Sequence, residues 1–195
     1  MSKDSWIGIS VSWRKINQKV IDELSAYVHY ILNKGRVIIT GGALGGDYIA
    51  TEIALKTGDP YRAREQLRIA LPVKREAYLE RYQNYFELIE AEKKGIIAKL
   101  DHSSISESEV KELRFRLKKL EKETLTRSQA ECLTKQLTYV NEHFPEIIFD
   151  NTHLDENKFL DPDTLDYREK CYNFRNGLVS YGCDGLIALC INGSQ

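Results

Sequence analysis

The segment VIITGGALGGDYIATEIAL, Val37 to Leu55, packs four of the chain's twelve glycines into six positions. β-branched residues lead into the glycines and an apolar periodic run leads out. The first amides of a helix have no intrahelical acceptor, and the helix dipole favours negative charge there. A phosphate exploits both features where no side chain blocks its approach, and glycine keeps that approach clear. Gly41, Gly42, Gly45 and Gly46 are therefore expected to cradle a phosphate. Thr40 offers a hydroxyl at the strand end, and Asp47 stands near the helix start. The spacing G-G-x-x-G-G is neither the dinucleotide fingerprint G-x-G-x-x-G nor a P-loop ending in Gly-Lys-Ser/Thr. ATP hydrolysis and NAD-linked redox chemistry are disfavoured on that ground.

Other residues carry compatible chemistry. Arg175-Asn176 joins a bidentate anion donor to an amide able to read a base or a ribose. Arg14 and Lys15 follow the first strand and are similar candidates. Asp47, Glu52 and Asp184 supply carboxylates of the kind that cleave a glycosidic bond. Asp47 and Glu52 are five positions apart, roughly 140° around a helix, and do not share a face. No nucleophile-base-orienter set is visible. His29, His102, His143 and His153 are scattered, and Cys132, Cys171, Cys183 and Cys190 form no C-x-x-C pair. No metal site and no cofactor is expected. Reduced thiols in a cytoplasmic protein are the expected state of the cysteines. Tyr78, Tyr82 and Tyr85, with Lys74, Arg75 and Arg81 among them, suit either a packing stripe or stacking on nucleic acid.

These residues need elements to hold them. Alternation over the N-terminal third predicts strand Trp6–Ser12, a helix carrying Ile16, Val20, Ile21, Leu24, Val28, Ile31 and Leu32, and strand Arg36–Thr40. A second helix follows the glycines, and Leu67–Pro72 is a third strand. Strand-helix-strand-helix-strand predicts an α/β fold, a Rossmann-like parallel sheet with flanking helices. The middle changes character: Pro72 to Pro145 contains one glycine, Gly95, and many charges of both signs. Val110, Leu113, Leu117 and Leu120 follow a 3-4-3 spacing there. The expectation is a helical hairpin packed on its own domain, with a partner-binding arm as the alternative. Residues 74–144 thus read as a helical insertion within one domain spanning 1–195. Thr164 to Gly182 predicts a late helix, capped by Asp163 or Thr164, and Gly185 to Ile191 a buried strand.

The net charge of −1 argues against a general binder of nucleic acid or anionic membrane. No apolar run approaches the length of a transmembrane helix, and the first ten residues lack the apolar stretch of a signal peptide.

Together IGISVSWRK, VIITGGALGGDYIATEIAL, RIALP and YNFRNGLVSYGCDGLIAL resemble the Rossmann-like superfamily of the DNA-processing protein DprA (Smf) and the lysine-decarboxylase-like LOG proteins, sometimes grouped as SLOG. The resemblance covers about residues 5–72 and 164–194. It implies that Ser10, Ser12, Trp13 and Arg14 form the first loop at the strand ends, and Gly41, Gly42, Gly45, Gly46 and Asp47 the second. It implies that Arg175 and Asn176 face the same crevice and that Asn192, Gly193 and Ser194 begin the last loop. The first loop of relatives often reads Gly-Ser where this chain has Val11-Ser12. The LOG signature Pro-Gly-Gly-x-Gly-Thr is absent. Relatives usually continue past the last strand into a Gly-Thr turn and a helix, so truncation after Gln195, or a short version with half its anion site, is an expectation too.

The resemblance implies a nucleotide or nucleotide derivative as the small-molecule partner, bound by a sensor-type domain. The first alternative is an enzyme hydrolysing the N-glycosidic bond of a nucleotide, with Asp47, Glu52 and Arg175 as its catalytic candidates. The second is a DprA-like binder of single-stranded DNA using Arg75, Arg81 and the tyrosines. Pairing of relatives through exposed helices suggests a homodimer.

Overall fold

The computed structural model describes residues 5–11, 16–57, 60–101, 105–122, 126–161 and 164–189. The α/β expectation holds. Five parallel strands, in the order β4-β3-β2-β1-β5, form the sheet: β1 (Trp6–Val11), β2 (Val37–Thr40), β3 (Leu67–Ala70), β4 (Ile148–Phe149) and β5 (Gly185–Leu189). The register pairs Gly8 with Ile39 of β2 and with Leu186 of β5. All four residues of β2 are buried, as its uninterrupted apolar run requires of a strand covered on both faces.

Helix α1 (Gln18–Asn33) starts on Asn17, whose side chain accepts the Val20 amide at 3.0 Å. It turns Leu24, Val28, Ile31 and Leu32 inward, the residues its 3.6 periodicity selects. Helix α2 (Gly46–Lys56) follows the glycines and packs on α1. A short helix α3 (Pro60–Gln66) leads into β3. Helices α1 and α2, with α4 (Arg75–Gln83) and α7 (Arg127–His143), contribute to the main core. That core gathers Ile9, Ile38, Leu67, Ile69 and Ile148 of the sheet with Leu24, Ala50, Tyr78, Leu133 and Leu137 of the helices.

Helices α5 (Tyr85–Leu100) and α6 (Glu107–Lys122) pair with each other. Of the seam foreseen at Val110, Leu113, Leu117 and Leu120, the three leucines meet Ile89, Ile96 and Leu100 of α5 in a separate small cluster, which does not include Val110. Arg116 donates to Glu92 Oε1 across the pair, at 3.2 Å from Nε and 3.1 Å from Nη2. The segment 74–144 is therefore not uniform: α4 and α7 share the main core, and α5 and α6 share their own.

After β4 the chain forms α8 (Glu156–Leu160) and α9 (Leu165–Tyr181). Cys171 and Tyr172 of α9 join the main core. Further along, Val179 packs with Ile39, Ala70, Trp6 and Cys183 in a second cluster. The chain thus steps outward from β1 to β4, then returns through α9 to β5 on the other side of β1. That reversal is the topological switch point at which open parallel sheets place ligands, outside the carboxyl ends of the strands.

Candidate functional site

A crevice opens at that switch point, with a volume of about 170 Å³. The end of β1 lines it with Ile9, Ser10 and Val11, the turn after β2 with Gly41, Ala43 and Leu44, and α2 with Asp47. Helix α9 closes it with Arg175, Asn176, Val179 and Ser180.

Asp47 organises the turn. Its Oδ2 accepts the Gly41 amide at 3.0 Å and the Ala43 amide at 3.4 Å. Its oxygen Oδ1 accepts no hydrogen bond among the described residues. Burial pushes the carboxyl up from 3.8 to about 6, against the opposing pull of Arg175 and of the Ala43 and Gly41 amides. Desolvation outweighs those three favourable contacts because the carboxylate has lost nearly all its water.

Arg175 stands opposite, and its side chain, like that of Asp47, is 9% exposed. Its Nη1 donates to the Gly41 carbonyl at 2.5 Å and lies 4.0 Å from Asp47 Oδ2. Nε and Nη2 both donate to Asn176 Oδ1, at 3.1 and 2.8 Å. The guanidinium also lies 5.5 Å from the centre of the Tyr172 ring. A buried ion pair contributes little net stability compared with apolar packing. Strongly shifted groups concentrate where a protein does chemistry or binds.

The glycines have local reasons of their own. A Cβ on Gly41 would lie 2.7 Å from the Arg175 guanidinium and from Asp47 Oδ2, so glycine there admits the pair. Gly42 and Gly45 hold φ values of 61° and 82°, where side chains are strained. A Cβ on Gly46 would fall on the Val11 side chain. Val11, the departure from the Gly-Ser loop of the resembled families, is thus matched by glycine across from it on α2. Of the four glycines, Gly41 lines the crevice, while Gly42 faces Ile69 and Leu71.

The structure brings Ser10, Gly41, Asp47, Arg175 and Asn176 together and places other candidates elsewhere. Thr40 is fully buried, with its hydroxyl 3.2 Å from that of Thr51, away from the crevice. Glu52 accepts from Gln136 Nε2 at 3.0 Å and pairs with Lys56 at 2.6 Å. It belongs to the outer groove with His29 and Tyr48, so Asp47, Glu52 and Arg175 do not form one set. Asp184 accepts the Trp6 amide at 3.0 Å. Ser12, Trp13, Arg14, Lys15, Asp163, Asn192, Gly193 and Ser194 lie outside the described residues. Tyr78 is core: its hydroxyl donates to the Gly42 carbonyl at 3.1 Å, and its ring meets Tyr82 edge-on. Arg81 is buried over Phe159, and Arg75 pairs with Asp150 at 2.8 Å.

Ala43, Val179 and Ser180 escaped sequence reasoning. Helical spacing carried the signal for the last two, which lie four positions beyond Arg175 and Asn176. Ala43 acts through its amide, which no residue type announces.

Among the described residues no three His, Cys, Asp or Glu side chains gather as a metal site. No helix among them is long and apolar enough to cross a membrane. No family model, curated protein or solved structure matches the chain.

Proposed function

We propose that the crevice binds a nucleotide or nucleotide-derived small molecule, and that the protein is a recognition module of the SLOG type. One observation carries the reading: a buried Asp47–Arg175 pair opens onto a crevice at the switch point of a parallel sheet. Ser10 and Asn176 add polar groups at the rim of the same space. The free thiols of Cys132, Cys171 and Cys183 suit a cytoplasmic protein.

The test is a thermal-shift screen against nucleotides, cyclic nucleotides and ADP-ribose derivatives, with each hit checked for breakdown. Ligand at 100 times Kd stabilises the fold by about 2.7 kcal/mol. A hit recovered intact supports recognition, and silence across the panel at millimolar concentration overturns it.

A second reading draws on the Asp47 carboxyl held at about 6, close to where a general base works at neutral pH. Asp47 would then take a proton from the water attacking the sugar carbon as the N-glycosidic bond breaks. Free base and sugar phosphate recovered from a hit, and lost in Asp47→Asn, support it. Release that persists in that variant excludes it.

A further inference from the structure

A nucleotide offers a phosphate, a sugar and a base, and the crevice discriminates among them. This inference rests on the nucleotide reading and asks which part goes in. A typical pocket for a whole drug-sized ligand is about 300–1,000 Å³. At about 170 Å³ the crevice takes a single moiety.

A phosphate meets a carboxylate that already holds the turn's nearest amides. The Gly41 and Ala43 amides already serve Asp47 Oδ2. Three of the five Arg175 N–H groups are engaged, one on Nη1 by the Gly41 carbonyl and one each on Nε and Nη2 by Asn176 Oδ1. The Asp47 carboxylate thus competes with an incoming anion for the Gly41 and Ala43 amides. Its charge would repel that anion, and Arg175 is already its counter-charge.

A hydroxyl meets the opposite situation. Asp47 Oδ1 is an acceptor with no hydrogen bond among the described residues, in a carboxylate otherwise almost fully enclosed. The Asn176 side chain is exposed, and its amide nitrogen remains a donor after the oxygen is taken by Arg175. The exposed Ser10 hydroxyl donates or accepts. Acceptor, donor and hydroxyl on one small cavity match two adjacent sugar hydroxyls. The base is not selected by these groups.

We infer that the crevice is a sugar subsite: Asp47 accepts a hydroxyl of the ribose 2′,3′-diol, Ser10 and Asn176 receive its neighbour, and the phosphate lies outside.

Calorimetric titration with AMP, GMP, CMP and UMP tests this, the tightest binder being repeated as its 2′,3′-dideoxy counterpart and in competition with orthophosphate. Loss of a hydrogen bond to a charged group predicts binding at least about tenfold weaker for the dideoxy compound. Orthophosphate should not displace the ribonucleotide. In Asp47→Asn the preference for ribose over dideoxyribose should shrink. Ser10→Ala, at an exposed position, gives the same readout if the first variant does not fold. Equal binding of the ribo and dideoxy forms, or displacement by orthophosphate, overturns the sugar subsite and leaves nucleotide recognition standing. Failure of all four monophosphates to bind overturns the sugar subsite, and nucleotide recognition then stands or falls with the thermal-shift panel.

Discussion

At the scale of single residues, the Asp47 carboxyl stands in an environment far from that of a free side chain. Its carboxyl is raised to about 6 by burial, so the folded state holds the proton more tightly than the unfolded chain does. The stability this confers is complete below the unfolded value of 3.8 and is lost as pH rises through about 6. The difference between the two values corresponds to about 3 kcal/mol. Urea unfolding of the parent chain and of Asp47→Asn isolates this contribution. The parent should lose up to about 3 kcal/mol relative to the variant between about pH 4 and about pH 6, then run parallel to it. Parallel profiles across that whole range would show that Asp47 titrates normally. The glycine motif teaches a related lesson at this scale. Four glycines in six positions signalled close approach, and close approach is present, but the partners are Arg175, Asp47, Leu71, Ile69 and Val11 of the chain itself.

At the scale of elements, the most self-contained unit is the α5–α6 pair. Its apolar seam is small, with Ile89, Ile96 and Leu120 buried and Leu100, Leu113 and Leu117 packed around them. The seam was legible from the 3-4-3 spacing, because a helix presents such residues on one stripe. What fills the stripe was not, since spacing names a face and not its partner. Leu120→Ala is expected to cost about 2–4 kcal/mol within the pair. Hydrogen exchange should quicken in α5 and α6 while α1, α2 and the sheet keep their protection. Equal acceleration everywhere would mean that the pair and the main core unfold as one. Strand β4 was missed because two residues, Ile148 and Phe149, carry no periodicity. It is a strand through its pairing with β3, a tertiary fact. Helix α3 begins at Pro60 and is too short to show a pattern.

At the scale of the whole molecule, Arg175 ties the last third of the chain to the first. Its bond to the Gly41 carbonyl spans 134 positions. Removing it strands a buried carboxylate and a buried carbonyl together. Arg175→Gln is expected to destabilise the fold by about 3–5 kcal/mol near neutral pH. The cost should diminish as pH falls toward about 6, because without the pull of Arg175 the Asp47 carboxyl is held higher still and sheds its charge by protonation first. Unfolding in urea on either side of that value checks it, and a penalty independent of pH would assign the loss to packing alone.

The sequence alone determined the α/β class, the helix and strand alternation of the first third, the late helix and the place of the final strand, which was expected buried but lies at the sheet edge with Leu186 exposed. Each of these is a local pattern of apolar residues, glycines and caps, and local patterns survive without a partner. It also singled out Ser10, Asp47, Arg175 and Asn176 by residue type and by resemblance. Only the tertiary structure decided that Asp47 meets Arg175 while Glu52 turns to Gln136 and Lys56. Only the fold showed that the Gly41 and Ala43 amides of the glycine turn already serve Asp47. The physical reason is that a charge is valued by what surrounds it, and burial and long-range partners arise only when distant segments pack together.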